Sequence, residues 1–219
     1  MLGPSGAASR IERTQRRGDL RREELLRAAT ALLHTRALTE VSYAAVCARA
    51  RVPTSSAYHF YRDLDEIYRA LLEADRVALD ASLMRPFSRR QLASWQSVVG
   101  CLVDRSAAHH RRHPAAARIA IGGQTPPHLK RLGREADRAR AGQALRLLEQ
   151  MFVLPRMRNR QRVAFLTAEL VDTVFTASMI EAGRLTPDYV RLAKNAAIGF
   201  LTQHLGARPL PRARAPRAR

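Results

Sequence analysis

Residues 49–68 read RARVPTSSAYHFYRDLDEIY, and this stretch decides how the N-terminal part of the chain folds. Residues 54–61, TSSAYHFY, stand between a turn that ends at Pro53 and an aspartate at position 63. That spacing leaves room for about two helical turns. The segment is rich in hydroxyl, histidine and tyrosine side chains, so it predicts a short helix with a polar surface.

A second short helix is predicted immediately before the turn. In EVSYAAVCARA, Ser42 is a suitable N-cap, and the helix extends from Ser42 to Ala50. Two short helices joined by about three residues, the second of them polar on its outer side, are the ingredients of a helix-turn-helix. The second helix of that motif reads DNA. The polar helix at 54–61 is therefore predicted to be a recognition helix.

Longer helices flank this motif. DLRREELLRAATALLHT repeats apolar residues at spacings of three and four, which predicts a helix from Asp19, as its cap, to about Thr35. DLDEIYRALLEADRVALDASL predicts a longer helix that begins near Asp63 and directs its positive N-terminus at a phosphate. Beyond residue 85 the pattern stays helical and no convincing strand alternation occurs, so the predicted fold class is all-α.

These residues resemble the N-terminal domain of TetR-type one-component transcriptional regulators over about Arg21 to Leu72. The shared pattern is a helix of the LLRAATALL kind, the short VSYAAVCARA helix, a turn, a recognition helix with a tyrosine, and the acidic and apolar segment DLDEIY. Val52, Tyr58, Tyr61 and Ile67 match the family's turn valine, recognition-helix tyrosine, closing aromatic and long-helix apolar position.

The chain departs from the family pattern at three positions near the turn. Arg51 replaces a glycine, and a left-handed backbone there costs a residue with a side chain about 1 kcal/mol. Either that strain is tolerated or the turn differs. Pro53 replaces a serine cap, so one of the hydroxyls at 54–56 is expected to cap the helix instead. Leu64 replaces a lysine that contacts phosphate in the family, and Arg62 is the nearest substitute.

Together, the motif and the resemblance predict a set of DNA-binding residues. Thr54, Ser55, Ser56 and His59 are candidates for base or phosphate contacts, Tyr58 for a phosphate contact, and Ser42 and Arg62 for positioning on the DNA backbone. The alternative for each is a helix cap or a solvated face.

Four segments are predicted. They are a basic flexible arm (1–18), the helix-turn-helix domain (19–75), a ligand-binding and dimerisation domain implied by the resemblance (76–206), and a basic extended tail (207–219). The last two long helices are apolar and rich in small residues, so we expect them to pair with a second subunit as a four-helix bundle. Such a homodimer would bind a palindromic operator, act as a repressor and release DNA when a small-molecule effector binds.

The effector pocket is expected among the helices of the second domain. Apolar candidates also fit a plain core, and they are Trp95, Val99, Met151, Phe152, Phe165 and Met179. Glu169, Asp172 and Thr176 share one helical face with Phe165, at spacings of three and four. The two carboxylates predict either a site for a cationic ligand or, as the favoured alternative, ion pairs with arginines of neighbouring helices.

Charge and composition restrict the partners. A formal net charge of +19 and a pI near 11.5 favour a polyanion as partner, nucleic acid first and an anionic membrane surface second. The alternative function is therefore non-specific binding of nucleic acid or an anionic membrane by an arginine-rich surface. The alternative explanation of the arginine content is GC-biased coding. No run of about 18 apolar residues and no signal peptide is seen, so no membrane partner and a cytoplasmic location are expected.

Other chemistry is not expected. Cys47 and Cys101 lie in apolar helical patterns and predict neither a disulfide nor a zinc site. In HHRRH, His109 and His113 have the spacing of two helical metal ligands, but no third ligand is near in sequence, so a solvated helix end is predicted and no metal or other cofactor. No catalytic triad order, phosphate loop or pair of catalytic carboxylates is found, so an enzyme is not expected.

Overall fold

The computed structural model describes residues 4–206, with side chains from residue 15 onward except at position 132. Within these residues the chain forms nine α-helices and no strand, which confirms the all-α fold. The helices are α1 (Pro4–Thr35), α2 (Tyr43–Ala50), α3 (Thr54–Ala57), α4 (Leu64–Leu83), α5 (Trp95–Arg112), α6 (Pro114–Ala120), α7 (Pro127–Met151), α8 (Arg160–Ala182) and α9 (Pro187–Leu205).

The first helix begins earlier than the sequence predicted. α1 starts at Pro4 rather than Asp19, so the expected unstructured arm is helical over residues 4–18. This segment is rich in arginine and also contains alanine, both of which favour helix, and each of its two glycines, Gly6 and Gly18, costs only about 1 kcal/mol inside a helix. Asp19 does not cap the helix and instead pairs with Arg22 at 3.6 Å on an exposed surface. The predicted tail (207–219) lies outside the described residues.

The N-terminal core joins helices from both predicted domains. Apolar side chains of α1, α2 and α4 pack together, and Val52 is buried beneath the turn. Ala115 and Ile119 of α6 and Leu129 of α7 also enter this core. The predicted boundary at residue 75 falls inside α4, so this one helix connects the N-terminal core to the second domain.

The second core lies between α5, α7, α8 and α9, around the fully buried Trp95 and Phe175. Local signals set one end of each of its last two helices. Gly183 ends α8 at φ 65°, and the Thr186 hydroxyl accepts a hydrogen bond from the Tyr189 N–H at the start of α9. Cys101 lies buried beside this core, and Cys47 is buried in the first, both as free thiols.

A short helix was missed at the end of α5. Pro114 follows the end of α5 and begins α6, because proline is well tolerated in a first helical turn. α6 turns the chain back against α1 and α4. The end of α5 is therefore covered rather than solvated.

One described helix, α8, is long and apolar enough to cross a membrane, with a mean hydropathy of 1.5, which the sequence analysis did not expect. Glu169 and Asp172 lie within it. Only 22% of its most apolar window is buried inside the chain. Such a helix also occurs in proteins whose apolar face is covered by other helices, and α8 packs along both α7 and α9.

Candidate nucleic-acid interface and ligand cavity

The turn between α2 and α3 keeps its tight geometry despite the arginine. Arg51 adopts a left-handed conformation with φ 55° and ψ 35°. The Val52 N–H donates to the carbonyl of Cys47 at 3.1 Å, which closes the end of α2. The turn therefore keeps the family geometry, and the backbone strain at Arg51 is tolerated.

The predicted recognition helix is shorter than expected but continues as a helical turn. α3 covers Thr54–Ala57, whereas the prediction extended to Tyr61. The N–H groups of Tyr58 and Tyr61 still donate to the carbonyls of Thr54 and Ala57, at 3.2 and 3.0 Å. Pro53 occupies the N-cap without a side-chain bond, so the expected capping by a hydroxyl at 54–56 is wrong.

The structure exposes the predicted DNA-contacting side chains together on this turn. Thr54, Ser55, Tyr58 and His59 are exposed and Ser56 is half-buried, while Ala57 is fully buried and anchors the turn to the first core. Ser42 is exposed, and its hydroxyl accepts the N–H of Ala45 at 3.2 Å, so it caps α2 as predicted.

A tyrosine that the sequence analysis missed supports this turn. Tyr43, the first residue of α2, stacks on Tyr58 with ring centroids 5.1 Å apart and an interplanar angle of 20°. Its hydroxyl donates to the carbonyl of Tyr61 at 2.5 Å. Burial raises the pKa of Tyr43 to about 12, so the hydroxyl stays protonated and remains a donor. The only sequence signal that could have identified Tyr43 is its position directly after the N-cap Ser42.

The start of α4 is arranged differently from the prediction. Asp63 accepts the N–H of Glu66 at 2.8 Å, and Glu66 accepts the N–H of Arg62 at 2.7 Å. Carboxylates therefore already occupy the helix N-terminus that was expected to face a phosphate. The guanidinium of Arg62 is exposed but pairs with Glu66 at 2.9 Å. The hydrogen bond from the Arg62 N–H, followed by that from its guanidinium, lowers the pKa of Glu66. A phosphate contact by Arg62 would have to compete with this carboxylate.

A cavity of about 1050 Å³ lies between α4, α5, α7 and α8 and is lined mainly by apolar side chains. Four of the predicted ligand residues line it, namely Val99, Glu169, Asp172 and Thr176. Met157 and Leu154 also line it and were not predicted.

The predicted aromatic ligand residues lie elsewhere. Trp95 and Phe152 are 0% and 2% exposed and belong to the second core, as the plain-core alternative held. Phe165 stacks under the guanidinium of Arg138, 4.7 Å from its ring centroid. Met151 and Met179 pack against the second core outside the cavity lining. Sequence periodicity predicted that these side chains face inward. It did not predict whether they face the second core or the cavity.

The cavity carboxylates fall into two classes. Glu169 pairs with Arg134 at 3.1 Å, as the arginine-pairing alternative predicted. Asp137 pairs with Arg140, which also holds Asp80 at 2.9 Å. Asp172 forms no hydrogen bond or ion pair with any described residue. Burial, followed by the nearby charge of Asp137, raises its pKa from 3.8 to about 8.

The histidines of HHRRH are not a solvated helix end. His109 and His110 are 1% and 5% exposed, because α4 and α6 cover the end of α5. His109 Nε2 lies 2.8 Å from Asp75 Oδ1 of α4, and His113 packs beside it. Burial lowers the pKa of His110 to about 3, so this side chain is neutral. The prediction failed because the covering carboxylate is distant in sequence.

Comparison with known structures agrees with this architecture. A TetR-family transcriptional regulator from Streptomyces coelicolor matches with 19% identity over 84% of this chain and 99% of that chain, at a TM-score of 0.63. SmeT, the repressor of the Stenotrophomonas maltophilia multidrug efflux pump SmeDEF, matches with 18% identity over 87% and 97%, at 0.61. A TetR transcriptional regulator from Rhodococcus sp. RHA1 matches with 18% identity over 85% and 97%, at 0.59. At these identities the similarity shows the fold.

Sequence comparison supplies the family. No curated protein matches the chain significantly. The model of the tetracycline-repressor-like C-terminal domain matches residues 93–205, which is more than half of the 219 residues and includes α5 to α9. With the helix-turn-helix at its N-terminus and this C-terminal domain, the chain belongs to the TetR family of transcriptional regulators.

Proposed function

We propose that this regulator is a homodimeric repressor that binds a palindromic operator through α2 and α3 and is released by a small-molecule effector. The observation that carries the DNA-binding part is the exposed polar turn at 54–59, which Ala57 anchors from below and Tyr43 supports from the side. A rigid support keeps short side chains in register with base edges and phosphates.

The homodimer is supported by apolar surface on the last two helices. Leu166 and Ile180 of α8 and Leu192 of α9 are 38%, 66% and 46% exposed. Exposed apolar side chains on adjacent long helices are typical of a subunit interface. Gly199 is exposed and Ala196 is half-buried on α9, whereas Ala193 and Ala197 are buried within the chain and serve its own core.

Effector control is supported by the position of α4. Ile67 and Tyr68 of α4 are buried in the N-terminal core, and Leu79 and Leu83 of the same helix line the cavity. A ligand that prefers one position of α4 would therefore change the position of the DNA-binding helices. The ligand can weaken operator binding only by as much as its own affinity differs between the two positions of α4.

The cavity favours an effector with a large apolar group and a basic amine. Apolar lining accounts for the first feature, and the unpaired Asp172 accounts for the second. An amine beside Asp172 would favour its charged form and form an ion pair out of water. Glu169 is less suited, since Arg134 already neutralises it. Effector responses that are unchanged in both Asp172→Asn and Glu169→Gln would rule out this ligand class.

A second candidate function follows from the net charge of +19, namely non-specific attraction of arginines to nucleic acid or an anionic membrane. Phosphate attraction weakens steeply as salt rises, whereas base readout keeps a preference between sequences. The two functions therefore differ in what remains at moderate salt. Membership of the TetR family favours the DNA-binding regulator over non-specific attraction. We infer that the protein acts in the cytoplasm.

The deciding experiment is selection of bound duplexes from a random DNA pool at about 150 mM salt, near physiological ionic strength. We expect a two-fold-symmetric site that is lost in Tyr58→Ala and His59→Ala. His34→Ala, an exposed histidine at the end of α1, is the matched control and should select the same site. Retained DNA without any enriched sequence would show that the arginine surface alone binds.

A further inference from the structure

Three potential metal ligands converge where α4 crosses α5. Asp75 of α4 and His109 and His113 of α5 and its C-cap place one carboxylate oxygen and two ring nitrogens within 4.8 Å of one another. His109 Nε2 lies 2.8 Å from Asp75 Oδ1, and His113 Nδ1 lies 3.9 Å from the same oxygen. Asp75 also lines the cavity that contains Asp172, whereas His109 and His113 do not.

These distances suit a small divalent ion. Zinc binds imidazole nitrogen and carboxylate oxygen at about 2.0–2.2 Å, which puts neighbouring donors of a tetrahedral site about 3.3 Å apart. The two nitrogen-to-oxygen distances lie on either side of that value. Small side-chain rotations would therefore bring the three donors around one ion. Two imidazoles and one carboxylate form a donor set that binds zinc with water as a fourth ligand, and imidazole also suits nickel, copper and iron.

The surroundings hold the donors and leave a path for an ion. The side chains of His109 and Asp75 are 2% and 8% exposed, so packing fixes them. His113 stacks on His109 with ring centroids 4.3 Å apart, and its own side chain is 47% exposed. Pro114 follows His113 and restricts its backbone. The ion would enter from the His113 side, where water is available as a fourth ligand.

We propose that Asp75, His109 and His113 form a binding site for a divalent transition-metal ion of the zinc, nickel and cobalt group. The ion connects α4 to α5 of the effector domain, and α4 shares the N-terminal core with the DNA-binding helices α2 and α3. Because three ligands come from two helices, metal binding stabilises the arrangement of α4 against α5. The regulator then responds to metal through a site that shares only Asp75 with the lining of its effector cavity.

The test measures metal binding by the full chain after treatment with a chelator. We expect calorimetry with zinc and nickel to show one ion per chain, and cobalt to give the absorption bands of a protein site. His113→Gln is the first variant, since this half-exposed side chain can be replaced while the buried pair stays intact. It should weaken binding about tenfold or more, because even outer-shell changes cost about 10–100-fold. Asp75→Asn should weaken it as well.

A matched control separates this site from general histidine binding. His128 pairs with Asp65 at 2.7 Å, but no third ligand lies within reach of this pair among the described residues. His128→Gln should therefore bind metal like the parent chain. Metal should also raise the melting temperature of the parent and of His128→Gln, but not that of His113→Gln. No binding by the parent, or equal binding by His113→Gln, would overturn the proposal.

Discussion

The ring of Tyr43 stacks on the ring of Tyr58, 5.1 Å away, and this contact ties the first helix of the helix-turn-helix to its recognition turn. Tyr58 is 53% exposed, so one face of its ring is supported while the remainder is available to a partner. The hydroxyl of Tyr43 holds the carbonyl of Tyr61 at the far end of the same turn. One side chain thus fixes the recognition turn at two points.

Variants of Tyr43 should separate these two contacts. Tyr43→Phe keeps the ring but leaves the Tyr61 carbonyl without its donor, and we expect a loss of about 1 kcal/mol in the free energy of unfolding in urea. Tyr43→Leu also loses the stack, at a further cost of about 0.5–1.5 kcal/mol. Only Tyr43→Leu should weaken operator binding in fluorescence anisotropy. Full operator affinity in Tyr43→Leu would show that Tyr58 needs no support.

Replacement of Arg51, whose backbone is in the left-handed conformation, should stabilise the protein. Arg51 has φ 55°, where a side chain costs about 1–2 kcal/mol, whereas glycine has no such cost but loses about 0.5–1 kcal/mol through unfolded-state entropy. We therefore expect Arg51→Gly to raise the free energy of unfolding by about 0.5–1 kcal/mol. Arg49→Gly, within α2, is the control and should lower it by about 1 kcal/mol. Equal destabilisation by both variants would contradict the strain at Arg51.

Stability should depend on pH through Asp172. Its pKa is raised from 3.8 to about 8, so the folded chain keeps a proton that the unfolded chain releases between these values. The parent therefore loses stability as pH rises through this window. Asp172→Asn cannot ionise, and we expect it to gain on the parent by at least about 1.4 kcal/mol at pH 8, the equivalent of one pKa unit.

The control for this experiment is Asp188→Asn, whose side chain is 81% exposed at the start of α9. Thermal unfolding of the parent and both variants would be followed from pH 4 to pH 9. The difference between Asp172→Asn and the parent should be smallest at pH 4 and grow with pH. A difference that stays constant with pH would mean that Asp172 is already ionised throughout this range.

Charge on the exposed apolar face should prevent dimer formation. A buried glutamate without a partner is costly, so Leu166→Glu and Leu192→Glu should give monomers in analytical ultracentrifugation at micromolar concentration. Val77→Glu, on the 59%-exposed Val77 of α4, should remain a dimer. A monomeric parent chain would refute the four-helix interface outright. Loss of the dimer in all three variants would point to a more extended interface.

Much of the architecture is determined by signals that lie close together along the chain. Ser42, Asp63 and Thr186 accept hydrogen bonds from N–H groups at the starts of α2, α4 and α9, and Gly183 ends α8. These contacts involve residues within three positions of one another or a single backbone conformation, so composition and spacing suffice to predict them. The helix-turn-helix and its exposed polar residues follow from such local signals.

Tertiary structure decided which inward-facing side chains line a cavity and which fill the core. Helical spacing placed Trp95 and Val99 on one buried face, yet only Val99 reaches the cavity. Helical spacing also could not predict the contact between His109 and Asp75, because Asp75 lies 34 positions earlier in the chain. Cavities and ligand clusters depend on how separate helices cross. Those crossings are determined by packing across the whole core, and not by the pattern of any single helix.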